Sequence, residues 1–273
     1  MGIPTRMVTY AALCLLALLV LIPLFWLIGS AFKPSGEIFS YPPTFLPRDP
    51  TLVNFSRLFE EMPIVRYIIN STFLATSHTV LLLIIATMGG FAFAKYNFRG
   101  RGVLFGIVLG SMMIPFHLVL VPLFSLLYKL GWLDTYQGVI LPYLASSGFG
   151  IFLMRQFILG IPIDLIDAAR IDGSSEFGVY WRVIIPTVKP AMGALSIFGF
   201  LGAWNEFLWP MIVLRDSDKY TLPLGLANLV GVYRQEYGML MAGTLLSILP
   251  IMALFLAMQK EFVQGITLGA VKE

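Results

Sequence analysis

Residues 160–190 read GIPIDLIDAARIDGSSEFGVYWRVIIPTVKP. The stretch is too polar to cross a membrane and too apolar to be an ordinary linker. Gly160 and Pro162 end the preceding run and open a short helix, because proline is tolerated in a first helical turn. About two turns follow over residues 164–171. Asp172-Gly173 marks a turn, since glycine accepts positive φ and an Asp side chain can bond nearby backbone N–H groups. Ser174 or Ser175 is placed to cap a second helix, with Glu176 favourable in its first turn. Phe177, Tyr180, Trp181 and Ile184 fall on one face of that helix, which Pro186 is expected to terminate. The pattern describes a helix–turn–helix elbow. Ala168 and Ala169 keep its first helix slim, flanked by Asp167 and Asp172. Such a helix suits a groove on another protein, with Asp167 open to a partner's Arg or backbone N–H. It suits equally well an interfacial helix pair packed on its own bundle.

On either side of the elbow lie apolar runs, 138–157 before it and 191–213 after it. Four more occur at 8–28, 68–94, 103–127 and 239–258. A hydrocarbon core of about 30 Å needs about 20 helical residues, so each run is long enough to span it once tilt is allowed. Open strands could not satisfy their backbone groups in lipid. The expectation is an all-α membrane protein with six transmembrane helices. Composition agrees: of 273 residues, 58 % are hydrophobic and 12 % charged, against about 25 % charged in soluble domains. The apolar content excludes a disordered chain, and a single cysteine excludes a disulfide framework. Cys14, inside an apolar run, reads as an inert packed thiol. A net charge of +3 makes no case for nucleic acid.

Arg6 precedes the first run, and Gly29-Ser30-Ala31 resembles a cleavage site. The run is nevertheless longer than a usual signal core, so a retained first span is expected. Basic residues set the orientation. Lys95, Arg99 and Arg101 crowd the link between the second and third runs with no acid among them. Arg155, Arg170, Arg182 and Lys189 surround the elbow, and Arg6, Lys260 and Lys272 lie near the ends. Both termini and the elbow are therefore expected in the cytoplasm. The loop 33–67 is external on this reading, stiffened by Tyr41-Pro42-Pro43 and Pro50. Phe55, Leu58, Phe59 and Met62 then recur at helical spacing, as in an amphipathic surface segment. The loop 215–237 is the other external one. No internal repeat is visible, which weighs against folds built from inverted halves.

Four stretches resemble one family. Asp167-Ala168-Ala169-x-x-Asp172-Gly173-Ser174, followed by Phe177, Ile184 and Pro186, resembles the EAA loop of membrane subunits of binding-protein-dependent ABC importers. Ala203-Trp204-Asn205-Glu206-Phe207-Leu208-Trp209-Pro210 resembles the fifth-span motif of the carbohydrate-importer branch. The segment from Phe262 to Lys272 is similar to the tail of the shorter, six-span maltose-permease-type subunits. Ser30-Ala31-Phe32-Lys33-Pro34 fits as well. The loop motif usually opens with Glu and continues Gly-Ala, where this chain has Asp167 and Ser174. The tail ends in Glu273 where Gly is common.

The resemblance implies a type I importer permease fold. Residues 1–67 would form the first helix and long external loop, 68–260 the core with its coupling loop 160–190, and 261–273 a cytoplasmic tail. It implies that 164–171 is a coupling helix docked on a cytoplasmic ATPase subunit, with Asp167, Ala168, Ala169, Asp172, Gly173, Ser174, Phe177 and Pro186 carrying the contact. It also implies a homologous second membrane subunit, two ATPase copies, an extracytoplasmic solute-binding protein and surrounding lipid. The solute would be a sugar or sugar-like compound, moved by alternating access. This chain would bind no cofactor itself; ATP and Mg would sit on the ATPase, because no Gly-x4-Gly-Lys-Ser/Thr phosphate loop occurs here.

Within the runs, Glu206 is the one acid, and a buried acid in lipid must face a partner or water. With Trp204 and Asn205 it either lines the solute path or serves as a hydrogen-bonding hub between helices. The family resemblance favours the hub. His78 and His117 read as helix–helix hydrogen-bonding groups. Gly102-x3-Gly106-x3-Gly110 and Gly199-x3-Ala203 suggest close helix packing, and Met112, Met113 and Pro115 a bend. A gradient-driven secondary transporter, the alternative, would need paired ionisable groups at mid-membrane.

Overall fold

A computed structural model describes residues 3–145, 147–231 and 235–270, with side chains described only within 6–260. Helices follow in the order α1 (Ile3–Ala31), α2 (Val53–Glu61), α3 (Ile64–Lys95), α4 (Arg101–Ser111), α5 (Leu120–Leu130), α6 (Tyr136–Leu144), α7 (Gly148–Leu159) and α8 (Ile163–Ile171). After the elbow turn come α9 (Glu176–Val179), α10 (Ile185–Thr187), α11 (Lys189–Asn205), α12 (Leu208–Val213), α13 (Leu222–Ala227) and α14 (Tyr237–Ala270). Three of these are long and apolar enough to cross a membrane unaided, within Arg6–Ala31, Ile64–Lys95 and Tyr237–Lys260. The third and fourth apolar runs are each a bent pair. Arg101–Ser111 meets Phe116–Leu130 at 91°, and Tyr136–Leu144 meets Gly148–Leu159 at 50°. The fifth is α11, broken after Asn205 and resumed as α12.

The 91° bend has a local cause. Met112, Met113 and Ile114 donate to carbonyls only three residues back, which tightens the last turn of α4. Pro115 then offers no N–H and carries the chain out at ψ 130° into a short 3₁₀ turn, Phe116–Val119.

The chain forms two compact units. The first comprises Met1–Arg66 and Leu224–Pro250, the second Tyr67–Pro223 and Ile251–Glu273. In the first, the loop after α1 folds back on the end of that helix. Lys33 is fully buried, with its ammonium over the Trp26 ring at 4.4 Å and donating to the Thr44 carbonyl. Asn54 of α2 donates to the carbonyls of Ala31 (2.9 Å) and Lys33 (2.7 Å). Leu58 is buried while Phe59 stays exposed, so α2 is the amphipathic surface helix that its spacing predicts. Arg57 adds a bidentate pair with Glu236, at 3.0 and 3.1 Å. Cys14 is exposed rather than packed, because α1 buries none of its apolar length against this chain.

In the second unit, α3, α7 and α11 approach closely wherever one of them carries glycine. A Cβ on Gly90 would lie 2.6 Å from the Met154 Cβ, and one on Gly150 3.0 Å from Ala86. A Cβ on Gly199 would meet Leu82 at 2.7 Å. Small residues allow this because helix association in lipid depends on close van der Waals contact. Gly102, Gly106 and Gly110 do the opposite: nothing among the described residues lies within 4 Å of their would-be Cβ atoms. That spacing marks a face of α4 that the described residues leave uncovered.

Candidate functional site

The elbow is α8, a turn, and a second helix. Helix α8 ends in a Schellman motif: Gly173 donates to Arg170 O (3.0 Å) and Ser174 to Ala169 O (3.0 Å). Gly173 sits at φ +80° in otherwise open space, so conformation, not crowding, requires glycine there. Ser175 caps the second helix by accepting from the Gly178 N–H at 3.2 Å. The helix runs only one residue past Pro186, to Thr187, and there meets Lys189–Asn205 at 78°. The chain passes through a π-turn, Tyr180–Ile184, in which Ile185 donates five residues back to Tyr180 O. The wider turn displaces the carbonyl that a proline ring would otherwise strike, so Pro186 sits inside the short continuation α10. The aromatic face also divides. Tyr180 and Ile184 are buried, whereas Phe177 (63 % exposed) and Trp181 (54 %) point outward.

Charged and polar side chains staple the elbow. Arg170 donates to Asp167 at 2.9 Å and in bidentate fashion to Glu176 at 2.8 and 3.1 Å, joining the two helices across the turn. Asp167, expected to be open to a partner, is thus paired within the chain. Glu176 also accepts from the Tyr96 hydroxyl, just beyond α3. The Arg170 guanidinium and the Tyr96 hydroxyl hold the Glu176 carboxyl below its usual range. Burial, and then the bond to Glu176, push Tyr96 up to about 12. Lys95 donates to the carbonyls of Leu159 and Ile161, and Tyr180 shares a 2.7 Å hydrogen bond with Thr87. Arg155 of α7 donates to Phe93 O at 3.2 Å. These bonds fix the elbow to the basic end of α3.

Asp164, Leu165, Ala168, Ile171 and Asp172 remain exposed, with Ala169 and Ser174 partly so. The uncovered surface therefore mixes slim and apolar residues: Leu165 is 51 % exposed and Ile171 86 %. Tyr96, Lys95 and Thr87 were not singled out as elbow residues in the sequence. The only signals were the Asp167/Arg170 spacing of three and the position of Tyr96 where α3 ends.

The second set, Trp204, Asn205 and Glu206, falls at the break between α11 and α12. Trp204 is buried (1 % exposed) and stacks on Phe200 at 5.5 Å and 17°. Asn205 is exposed and Glu206 intermediate. Glu206 accepts from the Trp209 N–H at 3.0 Å, so its carboxylate caps α12 at the N-terminus, where negative charge is favoured. Trp209, fully buried, donates its indole N–H to Gly138 O at 3.2 Å. His78 is 5 % exposed and touches the Gly199 backbone with its ring. That hydrogen bond to Gly199 joins α3 to α11, the helix–helix role expected of it; its Nδ1 is buried with no hydrogen-bond partner among the described residues. The tail motif, 262–272, lies outside the described side chains.

Long apolar helices, three standing alone and three completed across bends, define a multi-pass helical membrane protein. The family described as "Binding-protein-dependent transport system inner membrane component" matches residues 86–267, and the chain belongs to it. The arabinooligosaccharides transport system permease protein AraQ of Bacillus subtilis (strain 168) is 42 % identical over 262 residues, 94 % of this chain and 92 % of that protein. The lactose transport system permease protein LacG of Rhizobium radiobacter is 33 % identical, covering 97 % and 96 %. A crystal structure of a bacterial ABC transporter involved in the import of the acidic polysaccharide alginate contains a chain of the same fold. It has a TM-score of 0.83 at 25 % identity, covering 96 % of this chain and 99 % of that one. This chain is a membrane permease subunit of an ABC importer with the type I fold.

Proposed function

We propose that this permease subunit carries a sugar, most simply an oligosaccharide, inward across the cell membrane, and that the elbow receives the stroke of a separate ATPase. The observation that carries the reading is the stapled elbow with its exposed Leu165, Ile171, Phe177 and Trp181. A lever that bent under load would absorb displacement, and Arg170 with its two carboxylates makes this one stiff. Ala168, Ala169, Asp172, Gly173 and Ser174 shape the seat, Phe177 supplies an apolar contact, and Asp167 and Pro186 hold its geometry from within. The names of its relatives, which transport arabino-oligosaccharides and lactose, support the solute class.

On this reading a homologous second membrane subunit completes the path and two ATPase copies bind ATP and Mg below it. A solute-binding protein delivers cargo from the other side. The basic residues at the end of α3 and around the elbow support a cytoplasmic location for both termini and the elbow. ATP binding draws two docked elbows together and rocks the helices between inward- and outward-open states, so each ligand acts by favouring one state. The chain itself hydrolyses nothing. The test is uptake into proteoliposomes holding the complete assembly. Sugar accumulation that requires ATP, is blocked by vanadate and ignores a protonophore is expected; uptake driven by an ion gradient without any ATPase overturns the proposal.

A further inference from the structure

Two cavities in the second unit differ in chemistry. The larger, about 440 Å³, lies among α3, α11 and α14. Two polar side chains in its lining already have partners: Thr79 donates to Ala75 O at 2.7 Å and Ser196 to Gly193 O at 2.8 Å. Those hydroxyls ask nothing of an occupant. The smaller, about 160 Å³, lies among α3, α7 and α11. Phe149 and Phe198 stand at its mouth, 46 % and 52 % exposed, and Gly199 and Gly202 leave its wall without side chains. His78 and Tyr143 form its depth, with ring centroids 4.9 Å apart. Both also line an adjoining void that contains Glu206.

We propose that the smaller cavity is a subsite for one ring of the transported sugar, so that this subunit contacts solute directly. This rests on the reading of the chain as a sugar-importer permease. A sugar ring presents a C–H face and a rim of hydroxyls. The exposed phenyl rings suit the first, and the buried, unpartnered Nδ1 of His78 suits the second. An acyl chain would leave that nitrogen without a partner; a hydroxyl supplies one. The volume is below the 300–1,000 Å³ or so of a whole small-molecule site, which fits a single ring of a longer solute. Glu206, with exposed Asn205 beside it at the break after α11, continues the polar track from the cavity. Irregular backbone at membrane depth is stable only against protein or a water-filled path.

The test uses the full assembly with its binding protein in proteoliposomes, offered labelled arabinotriose, lactose and diacetylchitobiose. His78→Leu removes the nitrogen, His78→Gln restores a polar group, and Gly202→Leu fills the wall, where an added Cβ would lie 3.5 Å from the Tyr143 hydroxyl. For whichever sugar the wild type carries, His78→Leu and Gly202→Leu should lower kcat/KM for uptake at least tenfold. His78→Gln should stay within about threefold. In parallel, a diazirine derivative of that sugar should label peptides containing Phe149 or Phe198 in the wild-type assembly. Wild-type kcat/KM in both disruptive variants, or labelling confined to the partner membrane subunit, overturns the subsite and leaves the transport reading standing. If a variant fails to assemble, the wild-type labelling decides alone. If the wild-type assembly carries none of the three sugars, the transport reading fails and the subsite with it.

Discussion

The elbow and the cavity beside His78 treat polar groups in opposite ways. In the elbow, Arg170, Asp167, Glu176 and Tyr96 pair with one another, and the uncovered surface sets Leu165, Ala168 and Ile171 beside exposed Asp164 and Asp172. In the cavity, a buried imidazole nitrogen has no partner within the described chain. On the proposed reading, a part that transmits force would hold its shape through bonds made internally, and a part that passes cargo would keep a bond to offer.

Experiments on the elbow can break that contrast, and the largest effect is expected at its surface. Ala168→Trp puts a bulky side chain on the slim face without touching the staples. Sugar uptake should fall to background while the assembly still extracts intact; wild-type uptake would remove the docking assignment. Gly90→Val attacks the α3–α7 seam, where an added Cβ would approach Met154 at 2.6 Å. Overpacking of this kind costs about 1–3 kcal/mol, to be read as a lowered Tm of the purified assembly. Gly173→Ala should cost about 1 kcal/mol, the penalty of a side chain at positive φ. Because space around it is open, larger residues should cost little more than Ala.

The smallest change concerns charge. Arg170→Gln should move Tm only slightly, since exposed ion pairs contribute about 0–1 kcal/mol, yet it should loosen the lever and lower the uptake obtained per ATP hydrolysed. The contribution of Glu176, whose carboxyl is held below the ordinary 4.5, is present above that value and lost as pH falls through the lower one. Tyr96, raised to about 12, contributes fully below its ordinary 10 and loses that contribution as pH climbs toward 12. The Tm difference between wild type and Tyr96→Phe should therefore hold steady through neutral pH and close above about pH 10. A difference that closed near pH 7 would exclude this network as the anchor.

Much of this was legible in the chain. Apolar runs of about 20 residues foretold the membrane helices, and the Asp172-Gly173 turn foretold the elbow, because local chemistry decides both. Pro115 announced its bend for the same reason. What stayed hidden depends on which surfaces meet. Gly102, Gly106 and Gly110 have the spacing of a packing motif and meet nothing among the described residues, while Gly90 and Gly150, outside any such repeat, make tight contacts. Glu206 looked like a path residue or a hub, and its carboxylate caps a helix that only the break after Asn205 creates. The pairing of Tyr96 with Glu176 joins residues eighty positions apart, and no local pattern encodes it.

The π-turn at Tyr180–Ile184 has a consequence for orientation. One supernumerary residue in a helix rotates everything beyond it by about 100° about the axis. The bearing of Phe177 relative to α10, up to the 78° break before Lys189–Asn205, is accordingly clocked by a single position. Deleting Arg182 would swing that ring a quarter-turn or more around the helix, an aiming error no surface substitution could undo.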